Sequence, residues 1–349
     1  MNKLFHLVLT GLISIIIYSN SGRSRILDEI PLSKETEQHK VDYDLTRKPD
    51  INTLGRTYGY IKGQQFSLNR IRKLFPDLEN EVTKSELEFS ISFKKASDRI
   101  TKELEEILGN EFRSFEDQMA EKLKSTLGNQ KIDKQTALLF FEEIKSRAKG
   151  NIESPVLETL LTYQFIDTPE KEFLKGYVKT YSTKGHPKSK GVTINSKLPL
   201  SWKQQEGDRP NIIQKFVSEN GSGQEIVLFM VKDLELPSGY KITQSELDDF
   251  FVESELREMI AEGSEFISAK RISLDNHTGG QIIYKTVQER LDFTITMQSV
   301  QFITIYNGKM IFLQCMVSAE PDENLTERFD LFLPIFRQIA NSMILMDQY

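Results

Sequence analysis

Acid–base or metal chemistry in this chain would have to begin from four histidines, His6, His39, His186 and His277. His6 lies in an apolar leader and His39 in a polar segment, so His186 and His277 are the two in regions expected to fold. No HExxH or other close histidine pair occurs, and the donor set of a zinc site is missing. His277 stands in Asp275-Asn276-His277-Thr278-Gly279-Gly280, a run of turn-forming residues between two strands. A Ser–His–Asp hydrolase would have to use His186 or His277, and no G-x-S-x-G elbow supports one. Gly221-Ser222-Gly223 lacks a third glycine and reads as a hairpin turn, and no G-x-x-x-x-G-K-[ST] phosphate loop is present.

Carboxylates are plentiful. Asp248, Asp249, Glu253 and Glu255 crowd one helix, and Asp233 and Glu235 sit in a loop. Acid–base work needs two such groups in one cleft with pKa values pushed apart. A hard cation would accept Asp248, Asp249 or Glu253, while the simpler expectation is a solvated helix face. Cys315, inside the apolar run MIFLQCMVS, is expected to be a buried small hydrophobe. One surface remains: Trp202, which follows Pro199, with Arg209-Pro210-Asn211 close by. Trp202 and Arg209 are the candidate ligand-binding residues, although the simpler expectation for the indole is that it covers an edge of the core. No catalytic residue, metal ligand or cofactor is assigned.

The whole composition fits this sparse chemistry. The chain has 349 residues, 45 basic against 51 acidic, a net charge of −6, and 38% hydrophobic residues. That is enough apolar material to exclude intrinsic disorder. A single cysteine excludes a disulfide scaffold. The mild acidity argues against nucleic acid, which needs clustered positive charge. Only residues 4–18 are continuously apolar, so a polytopic membrane protein is excluded. Lys3, this run, and Ser19 and Ser21 form the pattern of a secretory signal peptide with a cut after Ser21. Arg23 and Arg25 beyond it keep open an uncleaved anchor, with membrane association through residues 4–18. The expected location is periplasmic or extracellular.

Residues 22–58 are polar, charged and without a sustained period, and are expected to be a tether. Residues 59–171 read as a helical module. Ile100, Leu104, Ile107, Leu108, Phe112, Phe115, Met119, Leu123 and Leu127 predict one long helix over 98–127. A second is expected over 134–148 behind an Asp133 cap, with shorter pieces at 67–75 and 156–163. Residues 85–93 alternate and fit a strand nearly as well as a helix. Residues 172–191 are expected to be a strand followed by a basic joint, where Lys184, Lys188 and Lys190 contact anionic lipid or, more simply, water. From 192 to 349 the pattern predicts strands at 192–195, 212–218 and 225–231 and a helix at 245–261. Further strands follow at 266–274, 281–287, 291–306 and 309–318, then a helix from Asn324. Asn307-Gly308 marks a two-residue hairpin. The fold class is therefore α+β: a helical N-terminal module followed by an antiparallel-sheet α/β/α sandwich.

This order of elements, with Val192, Pro199 and Trp202 at its start and IANSMIL in the last helix, resembles the PsbP-like superfamily over residues 192–349. That group includes the photosystem II extrinsic subunit, a Ran-binding transport factor and exported bacterial DcrB-type proteins. The resemblance implies the sandwich and carries over no functional residue, because roles differ across the group. The sequence thus points to an exported, non-enzymatic binding or accessory protein with an unknown protein or small-molecule partner. A membrane-anchored subunit, and a hydrolase using His277 with the carboxylates at 248–253, are the alternatives.

Overall fold

The computed structural model describes residues 51–346, apart from 208, 235, 237–239, 291–292 and 320–323. The leader, most of the tether, His6, His39 and Glu235 lie outside the described residues. Among the described residues the first element is α1 (Ile51–Leu74), so residues 51–58, read as tether, are its first turns. Leu54, Tyr58, Ile61, Leu68 and Ile71 recur at helical spacing and are buried. α2 (Glu79–Leu108) absorbs residues 85–93 as helix. Its backbone breaks at Phe93, with φ −134° and ψ 15°. The Ala96 N–H, which an unbroken helix would give to Ser92, goes instead to Gln164 Oε1 at 3.1 Å.

The long helix expected over 98–127 is two helices. Gly109, at φ +52°, turns the chain after α2, and α3 (Phe112–Leu127) folds back onto α1. The sequence pattern missed this because the apolar stripe continues across the turn; what differs is the partner. Phe115, Met119 and Leu123 of α3 rest over Gly55, Gly59 and Gly63. A Cβ on Gly59 would stand 3.2 Å from Met119. α4 (Lys134–Ala148) starts at the Asp133 cap, which accepts from the Thr136 N–H at 2.7 Å. α5 (Val156–Phe165) and α6 (Glu170–Leu174) complete the module.

The sandwich has a seven-stranded antiparallel sheet in the order β3-β4-β5-β9-β8-β7-β6 and a small sheet β1-β2-β10. Its strands are β1 (Val178–Ser182), β2 (Ile194–Pro199), β3 (Lys203–Glu206), β4 (Ile212–Val217) and β5 (Glu225–Asp233). They continue as β6 (Glu265–Leu274), β7 (His277–Arg290), β8 (Phe293–Tyr306), β9 (Lys309–Ala319) and β10 (Ile344–Leu345). Asn307-Gly308 closes the β8–β9 hairpin as expected, both residues at positive φ. Side chains alternate across the large sheet. Val227, Phe229, Phe302 and Leu313 face α9 (Leu325–Asn341) and the small sheet. Ile282, Ile303 and Phe312 face the other way, onto Phe250, Phe251 and Leu256. Phe250 ends α7 (Gln244–Phe250), Phe251 caps it, and Leu256 belongs to α8 (Glu253–Arg257), two short helices where a single one was expected over 245–261.

The basic joint is not a free linker: Lys184 is exposed, while the other two lysines are paired. Lys188 pairs with Glu206 at 3.3 Å and Lys190 with Asp233 at 2.7 Å, which pins the segment to the edge of the sheet.

Candidate functional site

Trp202 is 3% exposed, and its ring meets Phe336 edge to face at 6.3 Å. It covers the core, the simpler of its two expected roles, and has no free ring face for a ligand. Arg209 is exposed beyond the far end of β3. The two candidate residues thus sit at opposite ends of one strand and do not converge. Cys315 is fully buried, which pushes its thiol well above the usual range and away from nucleophilic use.

The structure does not bring the His277 ring to the acidic helix: the next residue, Thr278, faces α7, and successive side chains of β7 point to opposite faces of the sheet. Gln244 donates to Asp248 at 2.7 Å and to Thr278, the neighbour of His277, at 2.8 Å. Asp248 also pairs with Arg271, so this carboxylate is held by a guanidinium and an amide. The His277 ring packs on Tyr306 at 5.0 Å. Among the described residues no cluster of His, Cys, Asp and Glu could hold a metal ion.

A site the sequence did not disclose lies where the two modules meet. Glu172 of α6 is 3% exposed. Ser201, in the turn after β2, donates its N–H to Glu172 Oε1 at 2.8 Å and its hydroxyl to Oε2 at 2.7 Å. Lys179 of β1 donates to the Trp202 carbonyl beside it. Glu158 of α5 has a buried carboxylate oxygen, Oε2, with no hydrogen-bond partner among the described residues. Burial pushes the Glu172 carboxyl up to about 7, against the pull of Ser201 and Lys179. Burial lowers Lys179, and Glu158 and Glu172 oppose that shift. The apolar packing interlocks here too. Phe173 joins the sandwich core, while Tyr177 and Leu200 join the helical core. The arrangement reads as a mortise between modules. Glu172 and Ser201 are far apart in sequence and carry no motif, so no local signal announces them.

The open surface of the molecule is on the helical module. A groove of about 400 Å³ runs between α2 and α4, lined by Leu138, Leu139 and Phe141 with Glu81, Lys84 and Lys145. Leu138 is 47% and Leu139 65% exposed. On α2, one turn apart and turned from the core, Leu87 is 58% and Ile91 68% exposed.

By fold, the protein is an antiparallel α/β sandwich preceded by a helical module. No family model and no curated protein matches the chain. Three solved structures similar to about half of it are PsbP-like fold members, the group met in the resemblance over 192–349. The cyanobacterial PsbP, CyanoP, of Synechocystis has 16% identity and TM-score 0.32, over 48% of this chain and 92% of its own. LpqN of Mycobacterium tuberculosis, described as involved in cell envelope biogenesis, has 14% identity and TM-score 0.29, over 50% of this chain and 95% of its own. The Ran-binding protein Mog1p of Saccharomyces cerevisiae has 10% identity and TM-score 0.32, over 49% and 96%.

Proposed function

We propose that this chain is an exported, non-enzymatic binding or assembly protein that docks a protein partner through its helical module. The observation that carries the reading is the set of four large apolar side chains, Leu87, Ile91, Leu138 and Leu139, left exposed on two neighbouring helices. Apolar groups of this size grouped beside a groove mark interaction surfaces more often than isolated exposed residues do. Covering each would contribute on the order of 1–2 kcal/mol. The groove between two helices suits an amphipathic helix. Its rim offers both signs of charge, Glu81 and Lys84 on one side and the Glu142–Lys145 pair, 2.6 Å apart, on the other.

A photo-reactive residue placed at Leu139 in the producing cell tests this. The expected result is one discrete adduct with another protein, lost when Ile91→Asp and Leu138→Asp are added to a chain that still melts normally. Absence of any adduct, or reproducible turnover on a broad substrate panel, would overturn the reading.

Export is tested separately by intact-mass spectrometry of soluble and membrane fractions. Among the described residues no helix is long and apolar enough to cross a membrane. The expected mass lacks residues 1–21 and is found in the soluble fraction. The full mass in the membrane fraction would make the chain an anchored subunit instead.

A further inference from the structure

On the other side of α2 the break at Phe93 borders a second cleft, of about 400 Å³, between α1 and α2. Its floor is apolar: Ile61, Leu68, Phe89 and Phe93 are all buried. Its walls carry neutral hydrogen-bonding groups, Gln65 and Asn69 from α1 and Ser90 and Ser97 from α2. The charges at the mouth are already matched. Glu86 pairs with Arg72 at 2.8 Å, and Lys94 with Asp98 at 2.7 Å. A charged ligand would find no unmatched counter-charge among these groups, and an uncharged one disturbs neither pair.

One buried polar group also lines this cleft. Gln64 is 5% exposed, and its amide oxygen accepts from Arg147 Nη1 at 3.2 Å. Its NH₂ donates to no described residue, so what Gln64 has left to offer is two N–H donors. A donor on the wall of an apolar cleft gains from an acceptor brought to it. The cleft also falls in the size range of small-molecule sites, which pair apolar walls with a few placed polar groups. The broken turn of α2 is held by Gln164 from outside the cleft, so Phe93 keeps its place in the floor whether or not a ligand is present.

We infer that the α1–α2 cleft binds a small uncharged amphiphile, an aromatic or short aliphatic body bearing a carbonyl or similar acceptor that Gln64 recognises. This site is separate from the α2–α4 groove and does not depend on the docking proposed there.

The test uses the full chain and the uncharged naphthyl ketone fluorophore Prodan. Titration is expected to give saturable, blue-shifted emission with one site per chain. Gln64→Leu is expected to weaken it about tenfold, the loss of one buried hydrogen bond. Ser90→Phe, which fills the cleft, is expected to abolish it. Leu139→Ser, in the other groove, is expected to leave it unchanged. Should Ser90→Phe fail to fold, Ser97→Leu fills the opposite end of the same cleft and is read in its place. Non-saturable emission, or equal affinity in a folded cleft-filling variant, would overturn the inference. Loss of binding in Leu139→Ser would overturn it too, by moving the probe to the leucine surface.

Discussion

Glu172 is a carboxyl group that the fold withholds from water. Its raised pKa means that folding disfavours its charged form. Below about pH 4.5 the group is protonated in both folded and unfolded chains, and the packing around it is at full strength. As pH rises through about 7, the unfolded chain ionises first and stability is lost. The shift corresponds to about 3 kcal/mol across that window. The groups facing Glu172 are Ser201 and Lys179, with Glu158 acting on Lys179. On β2 and α9, two elements packed on α6, the charged residues are Lys197, Glu327, Arg328, Asp330 and Arg337; all are exposed except Arg328, which is half-buried and pairs with Glu225. Urea midpoints measured between pH 4.5 and 8 are expected to fall with pH in the parent protein. Glu172→Gln keeps a hydrogen-bonding group and should flatten the slope. A parallel slope in both would rule Glu172 out as its source. At this scale the sequence was nearly silent. Trp202, Arg209 and His277 attracted attention as rare types in suggestive company, whereas Glu172 is one acidic residue among 51. Its environment is built from segments that meet only after folding.

Elements were far more legible, and the misses have two causes. The helix at 134–148, the meander from β7 to β9 and the Asn324 cap were all readable, because each is set by local period, turn chemistry or capping. The turn at Gly109 was not, since a stripe of apolar residues says that a face is covered without saying by what. α3 is covered by the glycines of α1, where a Cβ on Gly59 would press on the tip of Met119 and a larger side chain would not fit. Gly59→Leu is expected to lift α3 from α1 while the rest of the module stays folded. Hydrogen exchange followed by mass spectrometry should show faster exchange across 112–127 and unchanged protection in α2. Protection retained in α3 would mean that the glycine approach is dispensable. Short elements such as β3 and β10 were missed for a different reason. Their pairing partners, not their own residues, make them strands.

At the scale of the molecule the described residues form three apolar clusters, one in the helical module and one on each face of the large sheet. The α+β class and the order of the parts were visible in the sequence because helical and strand periods fall in separate stretches. How firmly the parts are joined was not visible. The segment expected to be a solvated joint is paired to the sheet through Glu206 and Asp233. The exchange of Phe173 against Tyr177 and Leu200 between cores makes the module an outrigger of the sandwich and not a bead on a string. Both surfaces proposed for binding lie on this outrigger. The residues that line them fall within 61–145, so a swap of the helical module onto another sandwich should carry the binding with it.

The small sheet has a consequence in time. Ile344 and Leu345 pair with Asn195 and Ile194, so a sheet begun at Val178 is finished by the last strand of the chain. A ribosome delivers these residues in order, and domains near the N-terminus generally fold first. Residues 51–165 hold the whole helical core except Tyr177 and Leu200, which join it from the sandwich side. The leucine face and the α1–α2 cleft are therefore expected to fold while the sandwich is still an incomplete sheet. A nascent chain is able to meet a partner or a small ligand before its larger half is assembled.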